Sequence, residues 1–102
     1  MMTADQSPQL PTDRMLAQIC KALGNPVRVR IIRYVLEHPG CIGNQILLHL
    51  PADAPHAQST ISQHLRVLRE VGLLDGHGEG PAVAYYVNTE RLSWLRTALE
   101  TL

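Results

Sequence analysis

The stretch Gln58-Ser-Thr-Ile-Ser-Gln-His-Leu-Arg-Val-Leu-Arg-Glu-Val-Gly-Leu-Leu74 narrows the folds open to its chain more than any other. At about 100° per residue, Ile61, Leu65 and Leu68 fall on one side of a helix, and Ser59, Gln63, Arg66 and Glu70 on the other. Such a helix has to bury the first side and present the second. The presented side carries hydroxyls, an amide and guanidinium groups. A helix in a DNA major groove uses these same groups: Gln toward adenine, Arg toward guanine, Ser and Thr toward bases or phosphates. An ordinary solvated helix would more often fill that face with Glu and Lys, and periodicity alone leaves both readings open.

A chain of 102 residues makes one domain with a single modest core. Phe is absent, so the core is expected to be aliphatic and shared with a second copy of the chain. Nine basic residues balance nine acidic ones, but they are unevenly placed. Between residues 14 and 69, Arg14, Lys21, Arg28, Arg30, Arg33, Arg66 and Arg69 face only Glu37 and Asp53, while both ends of the chain are acidic. A neutral total with a basic middle permits a localised phosphate-binding face and weakens nonspecific affinity. Cys20 and Cys41 are too few for a disulfide framework. No apolar run reaches membrane-spanning length and no basic-then-apolar leader opens the chain, so a reducing cytoplasm and no membrane partner are expected.

Residues 1–11, with Pro8 and Pro11, read as a mobile tail, and residues 12–102 as the folded domain. Thr12 or Asp13 can cap a helix with Met15, Leu16, Ile19, Ala22 and Leu23 on its apolar stripe, closing at Gly24. Asn25-Pro26 opens a second helix. Val27 to Ile31 alternates like a strand, but Val27, Ile31 and Val35 recur at helical spacing, and a helix ending near His38-Pro39-Gly40 is the reading adopted. Arg28, Arg30 and Arg33 on it serve either solubility or a nearby phosphate backbone. A short helix from about Ile42 to Leu50 is stopped by Pro51, and residues 52–56 turn the chain into the Gln58 helix, a helix-turn-helix with a long turn. Gly72 closes that helix. Leu73-Leu74 starts a strand, and Ala82 to Val87 returns as its partner in a β-hairpin whose tip holds Gly76, Gly78 and Gly80. Their spacing is not that of a phosphate-cradling loop. The tip has no Lys or Arg, so a DNA contact there would rest on His77 and backbone amides. Asn88 or Thr89 caps a last helix with Leu92, Leu95, Leu99 and Leu102 on one stripe, which suggests a dimer seam with the first helix.

Helix, helix, helix-turn-helix, hairpin, helix is mainly α with a β-hairpin wing, the order of a winged helix-turn-helix. Lys21-Ala-Leu-Gly-Asn-Pro-Val-Arg28, the Gln58 to Leu74 block, and Gly80-Pro81 leading to Tyr85-Tyr86 closely resemble the ArsR/SmtB family of bacterial repressors, over about residues 12 to 100. The resemblance implies a homodimer through its first and last helices, no cofactor, and two recognition helices on a palindromic operator in double-stranded DNA. Half-sites would lie about one helical turn apart, with release by a small inducer or a redox signal. It further implies that Gln58, Ser59, Thr60, Ser62, Gln63 and Arg66 meet the major groove, with Arg69 and His77 as additional DNA-binding candidates. His64, toward the core side of the wheel, suits packing or a phosphate better than a base.

The inducer is less legible. Family members with a thiolate metal site carry two cysteines near the start of the third helix, where this chain has Cys41-Ile42-Gly43-Asn44. A metalloid or soft metal wants two or three converging thiolates. No metal site is therefore expected, and its weak candidates are Cys20, His38 and Cys41. A redox pair of Cys20 and Cys41 requires a separation that sequence does not give. Two other functional classes compete with this one. One is a winged-helix protein-interaction module using the same helix on a protein partner, which a tip without Lys or Arg favours slightly; the other is an enzyme. For the latter, Ser59 or Ser62 with His64 lacks an orienting acid and a strand-to-helix nucleophile elbow.

Overall fold

The computed structural model of the chain describes residues 2–50 and 58–102, and side chains within 12–50 and 60–102. Helix α1 spans Met2–Leu23, α2 Pro26–Glu37, strand β1 Cys41–Ile42, α3 Gly43–His49, α4 Gln58–Glu70, β2 Leu74–His77, β3 Ala84–Val87 and α5 Thr89–Glu100, with a 3-10 turn at Gly80–Ala82. Two departures from expectation concern the ends of elements, and one expected turn is untested. Helix α1 runs through Thr12 and Asp13 instead of starting there. The turn expected at 52–56, with Pro51, lies outside the described residues. The returning wing strand starts at Ala84, not Ala82, because the Ala82 and Val83 amides close turns onto the Glu79 and Gly80 carbonyls, and Pro81 has no amide to pair.

Helix α2 settles the strand-or-helix ambiguity through its start. The Asn25 side chain accepts from the amides of Val27 and Arg28, at 2.9 and 3.4 Å, and Pro26 fills the first helical position. Once the chain is helical, Ile31, Ile32 and Val35 share the buried side. Alternation in Val27 to Ile31 was therefore coincidental with a 3.6-residue repeat.

The sheet holds a strand the sequence reading lacked. Its order is β1-β3-β2, all antiparallel, with Cys41 opposite Tyr85, and Gly76 opposite Tyr85 on the other side. Strand β3 is thus central, and the Gly40 amide donates to the Tyr85 carbonyl at 2.8 Å. Through β1 the wing is tied to the start of α3. The Gln45 side chain caps that start by accepting from the Ile42 amide at 2.9 Å.

The core is aliphatic, as the missing Phe requires. Ile19, Ile31, Val35, Ile46, Ile61, Leu68, Leu73 and Leu74 are its fully buried members, and Tyr85 is the one buried aromatic ring among the described residues. Each such aliphatic side chain contributes about 1.5–3 kcal/mol of burial. Leu92 and Leu95 dock α5 on this core, whereas Leu99 and Leu102 stand exposed. The leucine stripe of the last helix is therefore divided between the chain's own interior and its surface.

Helix α4 ends in a left-handed glycine cap. Gly72, at φ +80°, donates to the Arg69 carbonyl at 3.0 Å, and Leu73 donates to the Leu68 carbonyl at 3.0 Å. Leu68 and Leu73, on either side of this cap, are both fully buried in the core. A Cβ on Gly72 would also lie 3.2 Å from the Arg91 guanidinium carbon. Gly72→Ala is expected to cost about 1–2 kcal/mol, read as a lower urea midpoint. Asn25→Ala should cost about 1 kcal/mol by the same measurement.

Candidate nucleic-acid interface

The buried row of α4 dictates what its other side offers. With Ile61, Leu65 and Leu68 at 1, 5 and 0% exposure, Thr60, Ser62, Gln63 and Arg66 are turned outward and are all exposed. They line one continuous open surface. Gln58 and Ser59 belong to the first turn of α4, and their side chains lie outside the described residues.

Next to this surface a groove runs between α4 and β3, lined by Ser62, Leu65, Arg66, Arg69, Glu70 and Tyr85. Leu65 and Tyr85 give it an apolar floor, while Arg66 and Arg69 bring two guanidinium groups one turn apart. Arg69 lies close against the wing. A Cβ on Gly76 would come 3.2 Å from the Arg69 guanidinium carbon, so the bare backbone of β2 lets the arginine lie close. Beyond it, His77 is exposed and stands edge-on to Tyr86 at 5.4 Å, flanked by the exposed Asp75 and Glu79.

His64 belongs to a different environment from the other candidates. It is half-buried, and its Nδ1 accepts from Arg28 Nε at 3.1 Å, so that nitrogen carries no proton. The same arginine donates through Nη1 to the Ala22 carbonyl at 3.3 Å, at the end of α1. Arg28 is thus engaged inside the domain, while Arg30 and Arg33 are exposed along a groove that also holds Tyr34, Glu37 and His49. At the far end of α4, Arg91 donates to the Val71 carbonyl at 3.4 Å and reaches the Met15 sulfur at 3.1 Å. Sequence periodicity could not reveal these arginine contacts, because they join residues 36, 20 and 76 positions apart.

The weak metal candidates are not brought together. His38 stacks on Tyr34 with ring centroids 4.2 Å apart, and its Nδ1–H donates to the Tyr34 carbonyl at 3.0 Å. Cys41 is buried in β1 and Cys20 exposed on α1, both as free thiols. Among the described residues no three His, Cys, Asp or Glu side chains form a group able to hold a metal ion. No helix there is long and apolar enough to cross a membrane.

A helix with one exposed polar face, packed beside α3 and flanked by a three-stranded wing, defines a winged helix-turn-helix DNA-binding domain. Comparison with known proteins agrees. Residues 54–75 match the model of the bacterial regulatory protein arsR family. The chain is 30% identical over 76 residues to an HTH-type transcriptional regulator of Methanocaldococcus jannaschii, covering 74% of this chain and 81% of that protein. It is 30% identical over 77 residues to the HTH-type transcriptional repressor SmtB of Mycobacterium tuberculosis; the match covers 74% of this chain and about half, 53%, of that repressor. The homodimeric winged helix-turn-helix DNA-binding domain of a possible ArsR-family regulator from Mycobacterium bovis superposes with a TM-score of 0.69 at 20% identity, over 91% of this chain and 82% of that one. The chain belongs to the ArsR/SmtB family of DNA-binding transcriptional regulators.

Burial raises the pKa of the Cys41 thiol above its ordinary value of 9.0, against a smaller lowering by a backbone hydrogen bond. The folded chain therefore favours the protonated thiol. Its contribution to stability is complete below pH 9.0 and is lost as pH rises through the higher folded value. Alkylation of the native protein at pH 8 is expected to label Cys20 and spare Cys41, with mass spectrometry of the digested product as the check.

Proposed function

We propose that this chain acts in the cytoplasm as a dimeric, sequence-specific repressor that sets two copies of α4 into successive major grooves of a palindromic operator. The observation that carries the reading is the outward row Thr60, Ser62, Gln63 and Arg66 on a helix whose opposite side is fully buried. Gln63 and Arg66 can each form paired hydrogen bonds with a base edge, Gln with adenine and Arg with guanine. Thr60 and Ser62, with Gln58 and Ser59 before them, supply shorter contacts to bases or phosphates.

Arg69 fits a phosphate contact, since it is exposed and lies beside Gly76 of the wing. His77 is a lesser contact, because the acidic Asp75 and Glu79 beside it repel the backbone. His64 supports the helix instead of reading bases, given its hydrogen bond to Arg28. Dimerisation through α1 and α5 is supported by the exposed Leu99 and Leu102, which continue the apolar line of Leu92 and Leu95 past the edge of the core. An inducer or redox signal would release the operator. The free, separately housed Cys20 and Cys41 give no support to a thiol pair as that signal.

The test is a DNA shift titration with the operator and with random duplex across a salt series. The logarithm of affinity should fall linearly with the logarithm of salt on both. Gln63→Ala and Arg66→Ala should each weaken operator binding by about 1–3 kcal/mol, with little change on random DNA. Equal losses on both duplexes would count against base reading.

A further inference from the structure

Arg28 and Arg91 do the same thing at different places along α4. Helix α1 ends at Leu23, so the Ala22 carbonyl is one of the last four that its own helix leaves unpaired. Arg28 Nη1 donates to it, while Arg28 Nε donates to His64 at the middle of α4. Helix α4 ends at Glu70, leaving the Val71 carbonyl just beyond without a helical partner. Arg91 Nη1 donates to it from α5 and also touches Met15 of α1. In both cases a half-buried guanidinium carries positive charge to a helix C-terminus, where the helix dipole favours it. Both also bridge α1 and α4.

We infer that Arg28 and Arg91 are positioning residues that lock α4 to α1, so that the angle of the reading helix is set by the helix pair proposed to form the dimer. Neither guanidinium needs to touch DNA for this. The inference rests on the dimeric-repressor reading above and extends it: operator spacing would be enforced from inside each protomer. Lysine keeps the charge but lacks the planar fork that donates in two directions at once. The Lys variants therefore separate bridging from electrostatics.

The experiment compares the full chain with Arg28→Lys and Arg91→Lys in two ways. Hydrogen exchange without DNA is read over the last turn of α1 and along α4. Both segments should exchange about fivefold to tenfold faster in each variant while α2 stays protected. Unchanged exchange there overturns the inference, as does uniform acceleration through α2, which would mean that the arginines only hold the fold together. Binding is then read on the duplex that the wild-type chain selects from a random-sequence pool, and on the same duplex with one base pair inserted between half-sites. The penalty for the insertion should shrink about tenfold in the variants, with random-duplex affinity unchanged. An undiminished penalty overturns the inference, and so does a parallel loss on all three duplexes. If the wild-type chain selects no sequence from the pool, the repressor reading itself fails, and the exchange experiment still decides whether the arginines join α1 to α4.

Discussion

Burial of Ile61, Leu65 and Leu68 is the constraint from which the rest of the molecule follows, because a helix fastened along one line has no freedom over what its opposite line displays. Loss of that row would free α4 to roll, and a roll of one residue turns a helix by about 100°. Gln63 and Arg66 would then leave the surface they share with Thr60 and Ser62. The glycine cap at Gly72 and the buried Leu68 and Leu73 on either side of it fix the remaining variable, the point at which the chain leaves α4 for the wing. Rotation and exit are set by separate devices, one apolar and one conformational.

The wing follows from that exit. Leu74 enters β2 directly after the cap, and the Asn88 amide returns to the Leu73 carbonyl at 2.9 Å, so the hairpin opens and closes at the same place. Gly76 lets Arg69 lie close to the strand, and Leu65 and Tyr85 line the groove beside it. The wing thereby serves the helix as a brace. Its tip, with Asp75 and Glu79, is poorly charged for gripping phosphates, which agrees with bracing as its larger part.

Much of this was legible in the residues alone, for a physical reason. Periodic burial, proline at a helix start, asparagine at a cap and glycine at a left-handed turn all act within a few positions, so α2, α4, the wing and α5 declare themselves locally. Strand β1 does not, since two residues, Cys41 and Ile42, become a strand only by pairing with Tyr85 and Ala84 far along the chain. Arg28 looked like one of three surface cations for the same reason: its partner His64 is on another helix. Ala82 and Val83 fall inside the strand expected from sequence, yet Pro81 and the turn it anchors decide their backbone. The exposed face of α4 from Thr60 onward follows from hydrophobic spacing alone, which dictates the helix's orientation.

The distribution of aromatic rings has a practical side. No Phe, Tyr or Trp occurs between Gln58 and Glu70, and the chain's only tryptophan, Trp94, sits half-buried on α5. Helix α4 is consequently silent in aromatic fluorescence, whereas the last helix carries its own lamp. Emission and anisotropy from Trp94 can follow assembly and loading on unlabelled duplex, and a panel of substituted α4 sequences can be compared on one unaltered optical baseline.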